Sequence, residues 1–162
     1  GFKICWVMCA FSTKWGLPYL GPIITLIFIL VHLMIVKFKL RDIKIISLAI
    51  ILGLIIDSVF FQFNLINYEG GILSKFQIAP FWILGMWGGF AVTLLYTLNS
   101  IKKRYAISAL IGAIGGPLSY NAGVQIGSIT INGSIAYISL AISWGLIIPL
   151  LFYIINRLDS NV

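Results

Sequence analysis

Charged side chains are scarce in this sequence: they make up 9 % of 162 residues, and only 4 of them are acidic. A soluble globular domain carries about 25 % charged and about 45–50 % apolar residues. Here the apolar share is 60 % and the mean hydropathy is +1.07, which excludes a soluble domain. Intrinsic disorder is excluded too, because it needs low hydrophobicity and high charge. There is one histidine, and the two cysteines, Cys5 and Cys9, share one helical turn. With so few carboxylates beside them they supply no metal-ligand set, so no metal site and no cofactor is expected. A disulfide within one regular helical turn has poor geometry, which leaves both cysteines as small packing residues. A serine-nucleophile motif is missing. So is an internal repeat of the kind that marks an inverted-repeat transporter.

What the sequence does have is long apolar runs. A bilayer-crossing helix needs roughly 20 apolar residues, so a chain of this length holds at most about six. Six segments are read, at 1–13, 19–36, 43–63, 80–98, 105–126 and 134–155, with a loop at 64–78. Pro80 suits the first turn of the fourth segment. The predicted fold is therefore all-α: a single transmembrane domain over residues 1–162, built as a bundle of six spanning helices. Charge orients it. Of 11 basic residues, Lys3, Lys37, Lys39, Arg41, Lys44, Lys102, Lys103, Arg104 and Arg157 fall on one side, and only Lys14 and Lys75 on the other. The positive-inside rule then places both termini in the cytoplasm. Basic residues in short loops are accounted for by topology and anionic lipid, so no nucleic-acid partner is expected.

Asp57 alone among the acids lies inside an apolar run. An ionisable group at that depth costs several kcal/mol unless it is paired, neutralised or hydrated, and by default it marks a functional site. The alternative is a hydrogen-bonded carboxyl that locks two helices together. At a rise of about 1.5 Å per residue, Asp57 sits about 20 Å above Lys44 and Asn121 about 25 Å above Arg104. Ser119, Tyr120 and Asn121 therefore reach the level of Asp57, with Ser58, Gln62, Asn64 and Gln125 extending the polar series. His32 is only five residues from Lys37, about 8 Å from the cytoplasmic end, so it ranks second as a site residue. Gly115-Gly116-Pro117 predicts a kink or a break in the fifth helix, because Pro117 cannot donate its backbone hydrogen bond. A break would free N–H groups near Leu118. The alternative is a kink for close packing, with Ser108, Gly112 and Gly116 forming a small-residue face. Trp82 suits an interfacial belt. Together with the deeper Trp87 and Trp144 it is also a candidate lining for an apolar pocket.

Several stretches carry a family likeness: Asp57-Ser58, Trp82, Trp87-Gly88-Gly89-Phe90-Ala91-Val92-Thr93-Leu94 and Gly115-Gly116-Pro117-Leu118-Ser119-Tyr120-Asn121-Ala122-Gly123. Leu17-Pro18-Tyr19-Leu20-Gly21-Pro22, His32-Leu33, and Trp144 with Pro149-Leu150-Leu151 add to it. In these the chain resembles a bacterial inner-membrane family catalogued as domain of unknown function 2878. The resemblance implies a multi-pass protein of the bacterial inner membrane and no particular activity. Its association with genes for fatty-acyl modification points toward lipid.

The expected function is binding of a lipid or other amphipathic small molecule, in envelope lipid metabolism. Its pocket is expected in the outer half, between the third, fourth and fifth helices. Asp57 is its key polar group, with Ser58, Gln62, Ser119, Tyr120, Asn121 and Gln125 as further polar contacts. Trp82, Trp87 and Trp144 line it, and the 64–78 loop serves as a lid. Three alternatives stand beside this one. The first is an enzyme acting on a lipid or isoprenoid, with Asp57 as acid or base and Tyr120 assisting. The second is a substrate-capture subunit of a vitamin-type transporter, and the third a ligand-free scaffold. Membrane lipids, a hydrophobic ligand, and membrane-enzyme partners or a second copy are the partners these readings imply.

Overall fold

Each of the six apolar segments folds as an α-helix in the structure, a computed structural model that describes residues 1–160. The helices are α1 (Phe2–Lys14), α2 (Leu20–Ile35), α3 (Lys39–Gln62), α4 (Phe81–Tyr96), α5 (Tyr105–Ile126) and α6 (Gly133–Asp159). Two of them, α3 and α6, are long and apolar enough to cross a membrane. The apolar helices α2 and α4 are shorter, at 16 residues each. Helix α3 starts ahead of its apolar segment, at Lys39, and α6 runs past its own to Asp159, so charged flanks continue the helical backbone.

The sequence reading contained no strand, but the structure has two short ones. β1 (Ile66–Tyr68) follows α3, and β2 (Ile129–Ile131) lies between α5 and α6. They pair antiparallel, Ile66 opposite Ile131 and Tyr68 opposite Ile129. Ile66 is fully buried, and the Trp82 indole N–H donates to the Glu69 carbonyl at 2.9 Å. The segment expected to act as a lid is thus pinned across the end of the bundle. Helix α5 ends on Gly127 in the left-handed region (φ +85°), where a residue without Cβ carries no steric penalty, and the chain turns directly into β2.

The helices pack as close pairs, α1 with α2, α3 with α4, and α5 with α6. Helix α4 touches α1, α2 and α3, and α6 joins the α3/α4 pair to α5. Gly85, Gly88 and Gly89 of α4 face Cys9, Thr25, Ile29, Ile50 and Phe2, so this glycine-rich face serves internal packing. Both cysteines are buried and free.

Of the kink or break expected at Gly115-Gly116-Pro117, the break does not occur. Helix α5 runs unbroken through Pro117, and no freed N–H cluster opens there. The reason is tertiary. Ser108, Gly112 and Gly116 are buried, and Gly112 and Gly116 lie directly against Trp144 of α6. That contact keeps α5 helical past the one hydrogen bond proline cannot make.

Ion pairs gather the ends of α2, α3, α4 and α6 at one end of the bundle, the basal end. The strands close the opposite, hairpin end, where Gly70 lies beside Thr13 and Pro18 of the α1–α2 turn. Along the outside, stripes of large apolar side chains are exposed: Leu26, Leu30 and Met34 on α2, Ile51 and Ile55 on α3, Leu110, Ile114 and Leu118 on α5, and Ile138, Ile142 and Leu146 on α6.

Candidate functional site

Asp57 sits near the hairpin end of α3, and its side chain is completely buried. Three donors converge on it. Its Oδ1 accepts from the hydroxyls of Tyr68 and Tyr120, each at 2.5 Å, and its Oδ2 accepts from the Trp87 indole N–H at 2.7 Å. The donors come from β1, α5 and α4. None of the ion pairs among the described residues involves Asp57. Hydrogen bonding alone meets the polar demand of the carboxyl, which a buried acceptor of this kind requires.

Local sequence makes this geometry possible. Gly53 lies one turn before Asp57, and a Cβ there would fall 2.2 Å from the Trp87 ring. The missing side chain is the slot through which Trp87 reaches the carboxylate. A second slot repeats the device on α5. Gly116 lies one turn before Tyr120, and a Cβ there would fall 2.4 Å from the Trp144 ring. The two indoles stack with centroids 4.5 Å apart and planes 13° from parallel, while Tyr120 and Phe90 meet Trp144 edge-on.

Beside this stack lies a cavity of about 210 Å³, walled by α1, α4, α5, α6 and β2. Its lining includes Phe2, Trp6, Trp82, Met86, Trp87, Phe90, Ser119, Tyr120, Ile129 and Trp144, and no charged residue. Gly115 and Ser119, both exposed, lie on its α5 wall, facing an α1 that touches α5 only sparsely. One polar atom stands out. Trp144 Nε1 is buried and has no hydrogen-bond partner among the described residues.

Of the residues singled out in the sequence, Trp82, Trp87, Ser119, Tyr120 and Trp144 line the cavity. Asp57 does not, because it stands behind Trp87 and Tyr120. Trp82 is buried at the hairpin end, not in an exposed belt. Ser58 accepts the backbone N–H of Ala79 at 3.0 Å, and Asn121 accepts the hydroxyl of Tyr137 at 3.1 Å, so both fasten neighbouring segments. Gln62 and Gln125 are exposed. The cavity is bounded by α1 and α6, where α3 was expected. Trp87 fills the α3–α4 gap at Gly53, whereas the sparse α1–α5 contact leaves space.

Sequence reasoning missed two residues. Tyr68 lies in a segment read as loop, and only its pairing with β2 brings it under Asp57. Asp42 lies in a basic stretch and was not singled out in the sequence, yet it is fully buried. Its Oδ2 meets His32 Nε2 at 2.8 Å and the Tyr96 hydroxyl at 2.6 Å, and its Oδ1 accepts from Arg41 Nε at 2.9 Å. Arg41 also donates to Asp159 at 2.8 Å, which in turn takes Lys102 at 3.0 Å. His32 therefore belongs to a basal network and is remote in the fold from Asp57. Tyr96→Phe removes one donor from Asp42 but leaves His32 and Arg41 in place. It is expected to lower stability by about 1 kcal/mol, below the range of about 1.5–3 kcal/mol for a bond to a charged group, because water can reach the half-exposed Tyr96. Thermal unfolding of the two proteins side by side measures this, and coincident curves would mean the network does not need that bond.

Among the described residues, no three His, Cys, Asp or Glu side chains gather as a metal site. Comparison with known proteins gives one finding. The model of a family described as "Protein of unknown function (DUF2878)" matches residues 1–150. Comparison with curated proteins returns no match, and comparison with solved structures returns none either.

Proposed function

For this chain, which belongs to the DUF2878 family of proteins of unknown function, we propose a role in binding a lipid or other amphipathic small molecule within the membrane. The observation that carries this reading is the cavity: an aromatic-walled, uncharged space that opens outward where α1 and α5 touch only sparsely. Ligand pockets are typically concave and mostly apolar, with a few placed polar groups.

In this reading all six helices cross the bacterial inner membrane, with both termini in the cytoplasm. The exposed apolar stripes on α2, α3, α5 and α6 support immersion in lipid, since soluble monomers rarely expose apolar patches of that extent. The basal end carries the basic residues, as the cytoplasmic side does under the positive-inside rule. Helix α1, 13 residues long, covers about 20 Å, and α2 and α4, 16 residues each, about 24 Å, so this reading needs a thinned local bilayer around them. The cavity mouth then opens sideways into the acyl-chain region, the route by which an amphipathic molecule enters. Envelope lipid metabolism is the setting this chemistry fits.

Gly115 provides the test. It lines the cavity, and a Cβ added there meets nothing within 4 Å. Gly115→Leu therefore fills the cavity without disturbing the helix contacts. Native mass spectrometry of gently purified protein, with lipid identification, is expected to find a defined bound molecule in the wild type. Its occupancy should fall in the variant by roughly 5- to 100-fold, the equivalent of about 1–3 kcal/mol of overpacking. An equally empty wild type and variant would instead leave the ligand-free scaffold standing.

One observation favours an enzyme as the second reading. Tyr120 both lines the cavity and donates to Asp57, so a proton has a path between a bound molecule and the carboxylate. Turnover of a lipid extract by the purified protein, lost in Tyr120→Phe, would favour catalysis over binding.

A further inference from the structure

The unpaired indole N–H of Trp144 constrains what the cavity holds. A buried donor without a partner is costly, and such donors are rare in folded proteins. Trp144 is 8 % exposed and lines the cavity, and no protein group meets its Nε1 in hydrogen-bond geometry, so an acceptor on a bound molecule would complete it. The donors nearest it are committed: Trp87 N–H and the Tyr120 and Tyr68 hydroxyl protons go to Asp57, and Trp82 N–H goes to Glu69, while the exposed Ser119 hydroxyl is the other polar group on the cavity wall. No Lys, Arg or His lines the space, so nothing there would compensate a carboxylate or phosphate. A cationic head fares no better, because Asp57 already accepts three hydrogen bonds and is shielded by Trp87 and Tyr120.

We infer that the occupant is a neutral, chain-bearing molecule with one accepting oxygen of the carbonyl or ether class, and that Trp144 Nε1 donates to that oxygen while the aromatic walls take the chain. This rests on the ligand-binding reading above and narrows it. Charged phospholipid heads are excluded from the cavity. Asp57 becomes a positioning residue, which holds Trp87 and Tyr120 in place around Trp144 without touching the ligand.

The test uses two probes of equal chain length, 2-dodecanone and dodecane, titrated into the full chain in detergent micelles. The readout is the indole N–H resonance of Trp144 in an NMR spectrum, identified by its absence from Trp144→Phe. The other indole resonances and the methyl signals of the cavity report occupancy in either protein. The ketone is expected to bind about 2- to 10-fold more tightly than the alkane and to move the Trp144 resonance, as one net hydrogen bond requires. In Trp144→Phe the preference should fall to none, whatever the smaller ring does to both affinities. If both probes bind the wild type equally, the acceptor inference is overturned while the cavity reading survives. A preference that persists in Trp144→Phe overturns the role of Trp144. If neither probe binds, both readings fall together.

Discussion

Replacing Asp57 by alanine is expected to remove about 3–5 kcal/mol of stability, a large part of the roughly 5–15 kcal/mol that holds a typical protein folded. The loss does not come from the carboxyl as such. It comes from Tyr68, Tyr120 and Trp87, which would be left with buried donors and no acceptor, at about 1–3 kcal/mol each before any relaxation. The sum is less than three full penalties, because one network is being dismantled and its members relax together. Asp57→Asn keeps one accepting oxygen in the same volume and should recover about half of the loss. Denaturation in detergent, followed by helical circular dichroism, gives the ranking wild type, then Asn, then Ala. An alanine variant that unfolds together with the wild type would show that the three donors find other partners at no cost, and the carboxylate would lose its structural role.

The second large effect belongs to a glycine. A Cβ on Gly112 would lie 2.2 Å from the carbonyl oxygen of Trp144 and 2.8 Å from its carbon. Both are backbone atoms, which cannot swing aside as a side chain can. Gly112→Ala therefore forces α5 away from α6 along the closest helix pair in the molecule. Overpacking of this kind costs about 1–3 kcal/mol or more, against a gain of about 1 kcal/mol in helix propensity. A net loss of about 2 kcal/mol is expected, together with a displaced Trp144. Three residues along the same helix the sign reverses. Gly115→Ala meets open space, so only the propensity gain remains, and the melting temperature should rise slightly. The pair of alanine variants measured together separates packing from propensity. Equal changes in both would refute the tight α5–α6 seam.

How far this arrangement can be read from sequence depends on the kind of signal each residue carries. The six helices follow from apolar runs, and their observed limits lie within a few residues of the segments. The rise per residue was enough to put Asp57 and Tyr120 at one level, and the structure joins them by a hydrogen bond. The spacing of Ser108, Gly112 and Gly116 correctly marked a packing face. Tyr68 was illegible because three-residue strands have no periodicity to detect, and their pairing joins segments about sixty residues apart. Asp42 gave no signal because its surroundings in sequence are basic, whereas its surroundings in space are His32 of α2 and Tyr96 of α4. The cavity was placed on the wrong side of α4 for a similar reason. Gly53 gives no hint in sequence that a tryptophan from the next helix fills its place.

The three donors to Asp57 are not equivalent in the order of synthesis. Tyr68 and Trp87 lie in the stretch that begins with α3 and ends with α4, so they emerge from the ribosome with the carboxylate or soon after it. Tyr120 arrives only with α5. The α3–α4 hairpin can thus form with the Trp87 hydrogen bond already on its acid, and α5 and β2 later bring Tyr120 and fix Tyr68 in place. The buried acid of α3 therefore has a partner before the rest of the chain is made. On the basal side Asp42 is treated likewise, with His32, Arg41 and Tyr96 all in place before translation of α6 brings Asp159 to Arg41 as the final latch.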